Sequence, residues 1–137
     1  MTHAYAATTE FDCLELYRSF LERETDLTGT VVMHHGRVKR PGKQVPDFSR
    51  VELKPLVADV DSRMMAIAEQ AKTQFKLNQV LVVHRLGSIN ACDTVLFAVV
   101  SGTTRDRCFA ACSWIVDEIK REEFIQLIEH PWSVGNV

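Results

Sequence analysis

Three groups of residues in this chain of 137 have types and spacings that could do chemistry. The first is a basic cluster, Arg37, Lys39, Arg40 and Lys43, placed just after an apolar stretch. Several cations in a short loop concentrate positive potential, which suits an anion, although a solvated loop would read the same. The second is SGTTR, Ser101 to Arg105, at a predicted strand-to-helix junction. Unpaired backbone N–H groups at a helix start favour an anion, and Arg105 adds a fork of donors. Simple capping by Thr103 accounts for the same letters. The third is Lys120, near the end of a predicted helix. A cation there complements the helix dipole with no further role. In a partly dry pocket the same amine becomes an acid, a base or a nucleophile.

The histidines and cysteines argue against a metal. His34 and His35 are adjacent, so on a strand they point to opposite faces and do not share one ion. The four cysteines, Cys13, Cys92, Cys108 and Cys112, contain no C-x-x-C pair. Cys108 and Cys112 meet on one helix face, but a metal would need two more ligands. Small buried hydrophobes are the better reading of both.

The elements that must hold these residues follow from periodicity. Thr8 or Thr9 is placed to cap a first helix running to about Arg23, with Phe11, Leu14, Tyr17 and Leu21 on one face. GTVVMHHG, 29 to 36, reads as a strand, followed by an irregular loop with two prolines and a glycine. Val51 to Lys54 reads as a short strand. Asp59 or a neighbour starts a second helix with Val60, Met64, Ile67, Ala68, Ala71 and Phe75 at helical spacing. Strands near 79 to 86 and 94 to 100 are joined by a link short enough for a hairpin. VLFAVV lacks polar alternation, which predicts a strand covered on both faces. Thr103 opens a third helix, with Asp106 three residues on in a capping-box arrangement, and Phe109, Cys112, Val116 and Ile119 facing the core. The order helix, strand, helix, two strands, helix predicts an α+β fold with helices on a mainly antiparallel sheet.

Composition narrows the function. The length suits one domain over residues 1–137, and a chain of this size buries roughly two thirds of its unfolded surface. The formal net charge is −2, so no overall basic field is available for nucleic acid. No apolar run reaches the ~18 residues of a membrane span. The start, MTHAYAATTEFD, has no basic region followed by an apolar stretch, so a cytoplasmic protein without a signal peptide is expected.

Taken in order, these segments resemble the family of the large subunit of molybdopterin synthase. TGTVVMHHGRVK is similar to that family's glycine, hydrophobic strand and G-x-V-R. The stretch from Leu77 to Lys120 resembles its long signature without a gap: His84, Arg85 and Gly87 match H-R-x-G, Phe109 and Ala111 match F-x-A, and Lys120 matches the lysine that ends the helix. The resemblance covers about 28–120.

The resemblance implies an α/β-hammerhead type of fold. It implies a homodimer in which each copy binds a small ubiquitin-like sulfur carrier ending in a Gly-Gly thiocarboxylate. It implies transfer of sulfur to cyclic pyranopterin monophosphate, with no tightly bound cofactor and no metal; the phosphorylated pterin is substrate. Lys120 falls at the catalytic lysine, and Lys39, Arg37, Arg40, Thr104 and Arg105 fall around the anionic substrate. Arg85, beside His84, is read as structural.

The departures are specific. Thr104-Arg105 stands where the family has His-Arg. Lys39 stands for the arginine of G-x-V-R, and loses its bidentate fork. Leu56 stands near an expected tyrosine, and no lysine follows Lys120, where the family carries a second one in a P-[IF]-W-K segment. The sequence therefore supports a synthase large subunit, with a non-catalytic homologue that binds a pterin or a ubiquitin-like or synthase partner as the alternative.

Overall fold

The computed structural model describes residues 1–132. Ser133 to Val137, the last five residues of the expected domain, lie outside the described residues. The elements are β1 (Thr2–Ala7), α1 (Cys13–Glu22), β2 (Thr30–Arg37), β3 (Arg50–Pro55), α2 (Val60–Gln74), β4 (Gln79–Arg85), β5 (Gly87–Ile89), β6 (Thr94–Gly102), α3 (Arg105–Glu122) and β7 (Ile125–His130). They form a four-stranded sheet in the order β1-β4-β6-β2 and a three-stranded sheet in the order β5-β3-β7. Among the described residues only the β1–β4 pair is parallel. This is the expected α+β fold with mainly antiparallel pairing. No helix of the described residues is long and apolar enough to cross a membrane.

Strand β6 organises the larger sheet. Leu96, Ala98 and Val100 point to one face, where they pack with Val80 and Val82 of β4 and with the buried sides of α2 and α3. Phe97 and Val99 point to the other, against Leu81, Val83 and Phe20 of α1. Alternate residues of one strand thus enter two different cores, which explains its unbroken apolar run.

Several expectations are corrected. The first helix starts at Cys13, not Thr8 or Thr9, because residues 2–7 are taken up as a parallel strand beside β4. Its cap is Asp12, whose carboxylate accepts from the N–H of Leu14 at 3.0 Å and of Glu15 at 3.3 Å. The helix therefore seats Cys13, Leu16, Tyr17 and Phe20 on the sheet, while Leu14 is 77% exposed. In α3 the N-cap is Thr104 without a side-chain hydrogen bond, and no capping box forms. The buried stripe is Cys108, Ala111, Cys112, Ile115 and Ile119, and Phe109, one position off it, is 62% exposed. Strands β4 and β6 pair antiparallel as the expected hairpin, but their link is more than a turn. Gly87 takes φ +100°, and β5 leaves the large sheet to pair with β3. Finally, Glu123 in the left-handed region ends α3, Phe124 turns into the core, and β7 pairs with β3.

The prolyl, basic loop after β2 is fastened at both ends. Val38 and Phe48 are buried with Val51, Leu53 and Ile89 in a third core cluster. Arg40 donates to the Phe48 carbonyl at 2.7 and 3.3 Å and lies over the Phe48 ring. The Glu129 carboxylate of β7 accepts from the N–H groups of Lys43, Gln44 and Val45, at 3.1, 2.5 and 2.9 Å. The Gln44 side chain bonds the Leu127 carbonyl and the Glu129 N–H, both at 2.9 Å, so it acts as a short piece of neighbouring strand. Gly42 sits inside this knot, where an added Cβ would run into the Val45 carbonyl and the Glu129 carboxylate. Gly42→Ala is expected to cost about 1–3 kcal/mol, the usual penalty of overpacking, read as a lower denaturant midpoint with an unchanged slope. An unchanged midpoint would show that the loop is not held here.

Candidate active site

The site is built where β2 runs beside α3. Thr30, Val32, His34 and Gly36 share the face of β2 that α3 covers, and Val31 and His35 face α1. The two histidines thus diverge, as their adjacency requires. Val32 and His34 form one wall of a groove of about 390 Å³, and Phe109, Cys112, Val116 and Asp117 form the other. Lys120 follows on that helix stripe by one turn and is exposed.

His34 is the residue that sequence reasoning missed. Burial, and then the positive charge of Lys120, hold its imidazole below its ordinary value of 6.5. The glycine of the G-x-V motif makes this placement feasible. A Cβ on Gly36 would lie 2.9 Å from His34 Nε2 and 3.4 Å from the Leu96 carbonyl oxygen. The usable signal was therefore the H-H-G spacing, a histidine two residues before a glycine on the same strand face.

Of the two α3 thiols, Cys112 lines the groove and Cys108 is buried behind it. Cys108 donates weakly to the Thr30 carbonyl at 3.7 Å. Burial, with a smaller push from Cys108, raises the Cys112 thiol to about 11. Both are buried in the main core cluster, as expected of small hydrophobes. No group of three or more His, Cys, Asp or Glu among the described residues is arranged to hold a metal ion.

The predicted cations divide into two sets. Arg37 leaves the end of β2 and donates to the Cys92 carbonyl at 3.2 Å. Arg40 is committed to the Phe48 carbonyl and to Asp47. Lys39, between them in sequence, is exposed and makes no side-chain hydrogen bond or ion pair among the described residues. These lie at the Lys120 end of the sheet. Thr104 and Arg105 do not, because α3 runs back over the sheet from the Gly102 end of β6. Arg105 and Lys120 are separated by 15 positions of continuous helix, roughly 22 Å. Arg105 is exposed, and its nearest carboxylate is that of its neighbour Asp106, at 3.9 Å. Within one chain, then, Arg105 does not converge with Lys39.

A further cluster sits on the α1 face. His35 Nε2 is 2.8 Å from Thr94 Oγ1, and Cys13 Sγ lies 3.8 Å from the same nitrogen. Burial outweighs the Thr94 contact and raises the Cys13 thiol above its ordinary value, so it too rests as the neutral form.

The His34–Lys120 proximity is testable by NMR titration. The folded imidazole ionises below the 6.5 of the unfolded chain, so the unfolded state binds more protons between the two values. His34 therefore opposes folding as pH falls through about 6.5, and imposes no penalty above it. Lys120→Ala is expected to move the His34 titration upward, toward its ordinary value, and to leave that of buried His84 in place. A His34 titration that ignores Lys120→Ala would break the link between these two groups.

Comparison with known proteins gives the family and the fold. The catalytic subunit of molybdopterin synthase from Pyrococcus abyssi is 36% identical over 58 residues, 42% of this chain and 39% of that protein. The chain thus spans less than half the length of that relative. In fold, a crystal structure of molybdopterin synthase from Staphylococcus aureus superposes with a TM-score of 0.80 at 22% identity, covering 95% of this chain and 91% of that one. A complex of subunits 1 and 2 of the molybdopterin-converting factor from Helicobacter pylori superposes with a TM-score of 0.73 at 13% identity, covering 92% of this chain and 83% of that one. The family model described as MoaE protein matches residues 6–122, from β1 through the end of α3 and across both walls of the groove, and on that match the chain belongs to the MoaE protein family.

Proposed function

We propose that this chain is a large subunit of molybdopterin synthase, which takes sulfur from the thiocarboxylated Gly-Gly tail of a small ubiquitin-like subunit and delivers it to cyclic pyranopterin monophosphate. The observation that carries this reading is the position of Lys120. It ends α3 beside the groove, one helical turn past Val116, with His34 held in its field. An amine there can pass a proton to a leaving oxygen as sulfur adds, which is general acid–base work. Lys39, at the same end of the sheet, supplies charge for a phosphate or a carboxylate-like tail, while Arg37 is held to the Cys92 carbonyl.

Arg105 joins this site in a homodimer. Strand β2 ends the larger sheet, and no strand among the described residues pairs with its outer edge. Antiparallel pairing of two β2 strands about a twofold axis sets Thr30 of one copy opposite the Gly36 end of the other. The start of α3 in the second copy, with Thr104 and Arg105, then approaches Lys120 of the first. The Helicobacter pylori complex of subunits 1 and 2 supports a second kind of partner.

A second reading has its own support. Thr104 stands where the family has a histidine, and β7, Ile125–His130, carries no lysine. A chain lacking both groups suits binding without turnover. A sulfur-transfer assay with a thiocarboxylated partner and the cyclic precursor separates the two readings. Lys120→Ala is expected to lower turnover by about 10²-fold or more, with the fold intact because the head group is outside the core. Lys120→Arg is expected to fail equally, since a guanidinium does not give up its proton. Equal turnover by the wild type and Lys120→Ala would remove Lys120 from the mechanism; no turnover by the wild type would hand the lead to the binding-only reading.

The shared site has a sharper test. Lys120→Ala and Arg105→Ala homodimers should each be impaired, and mixing them with subunit exchange should restore one intact site per mixed dimer. Mixing without recovery, or a monomer by light scattering at micromolar concentration, would overturn the arrangement.

A further inference from the structure

The H-R-x-G arginine has no part in the groove above. Arg85 ends β4 on the α1 side of the sheet and enters a separate cleft of about 280 Å³, closed by the segment before α1 and the turn from β5 to β6. Its Nε is buried and has no acceptor among the described residues, and its guanidinium forms no ion pair among them. A sequestered guanidinium donor without an acceptor is costly, and it marks a place where a ligand oxygen would be stabilising.

Phe11 and Ile89 give the cleft an apolar part, and several of its polar groups are already engaged. Asp93 Oδ2 accepts from the Asn90 N–H at 2.8 Å and so closes the turn. Ser88 Oγ accepts from Arg50 at 3.1 Å, and Thr94 Oγ1 is the partner of His35 at 2.8 Å. Arg37 holds the Cys92 carbonyl at the rim. Arg37 and Arg50 thus bond to residues that line the cleft, and neither pairs with a carboxylate among the described residues, so Arg85 is the guanidinium that lines it. Two carboxylates, Asp93 and the exposed Glu10, also line it.

We propose that this cleft binds the carboxylate of a small organic acid, with Arg85 as its principal donor. The guanidinium edge matches a planar carboxylate through two parallel N–H···O bonds. Glu10 and Asp93 weigh against a doubly charged phosphate more than against a singly charged carboxylate. The site lies on the opposite face of the sheet from Lys120 and does not rest on the sulfur-transfer reading.

The test is an NMR titration of the full chain with acetate, and separately with inorganic phosphate, each against sodium chloride at equal ionic strength. Acetate is expected to shift the Arg85 Nε–H signal and the backbone amides of Ser88 and Thr94 saturably. In Arg85→Lys, which keeps the charge and loses the fork, the amide shifts should need about tenfold more acetate. Ser88→Ala, a surface change, provides a second variant that should weaken binding if Arg85→Lys disturbs the fold. Shifts reproduced by chloride, no saturation, or saturation by phosphate but not acetate would each overturn the proposal.

Discussion

Strand β6 lies between β4 and β2 with water kept from both of its faces, and that requirement sets where everything else goes. Five consecutive residues, Leu96 to Val100, alternate between two cores. Each fully buried large side chain among them contributes about 1.5–3 kcal/mol relative to exposure. One helix cannot cover both faces, so α1 is needed on one side and α2 with α3 on the other. Because α3 follows β6 directly, it must run back over the sheet it has just left. Its two ends are thereby fixed at the two ends of the sheet, and so are Arg105 and Lys120.

The same constraint shapes the electrostatics of the groove. An exposed amine at a helix C-terminus is ordinary. It gains a chemical neighbour because β2 presents His34 toward α3, and because Gly36 leaves the ring room to lie over the backbone. Burial, and then the charge of Lys120, hold the imidazole below its ordinary value and so favour its neutral form, which can accept a proton. The lowered His34 imidazole is in this sense a product of packing, since neither residue stands out by type alone.

Sequence reading recovers what period and composition encode. The β6 run, the α2 stripe from Val60 to Ala71 and the strand before Gly36 are all where apolar spacing puts them. It fails where the partner of a segment is far away in the chain. Residues 2–7 are a strand only because β4 lies open beside them. FIQLIEH carries no clean alternation, and β7 exists because β3 and the Gln44 side chain bond its two edges. Lys120, Lys39 and Arg105 were identifiable by resemblance. Their grouping was not, since the helix that separates Arg105 from Lys120 by roughly 22 Å follows from its return over the sheet. His34 was passed over because a histidine next to another histidine on a strand says nothing about which face holds the chemistry.

The walls of the groove carry one further consequence. A thiol raised to about 11 is almost wholly protonated at neutral pH, and the thiolate is the form that attacks sulfur. Cys112 therefore presents a volume to the groove without presenting a nucleophile, and Cys108 behind it is fully enclosed. A protein surface that receives activated sulfur runs the risk of trading it into mixed disulfides or persulfides on its own side chains. With its one lining thiol held in the protonated form, the groove wall gains the packing of a sulfur atom while staying chemically silent toward such an exchange.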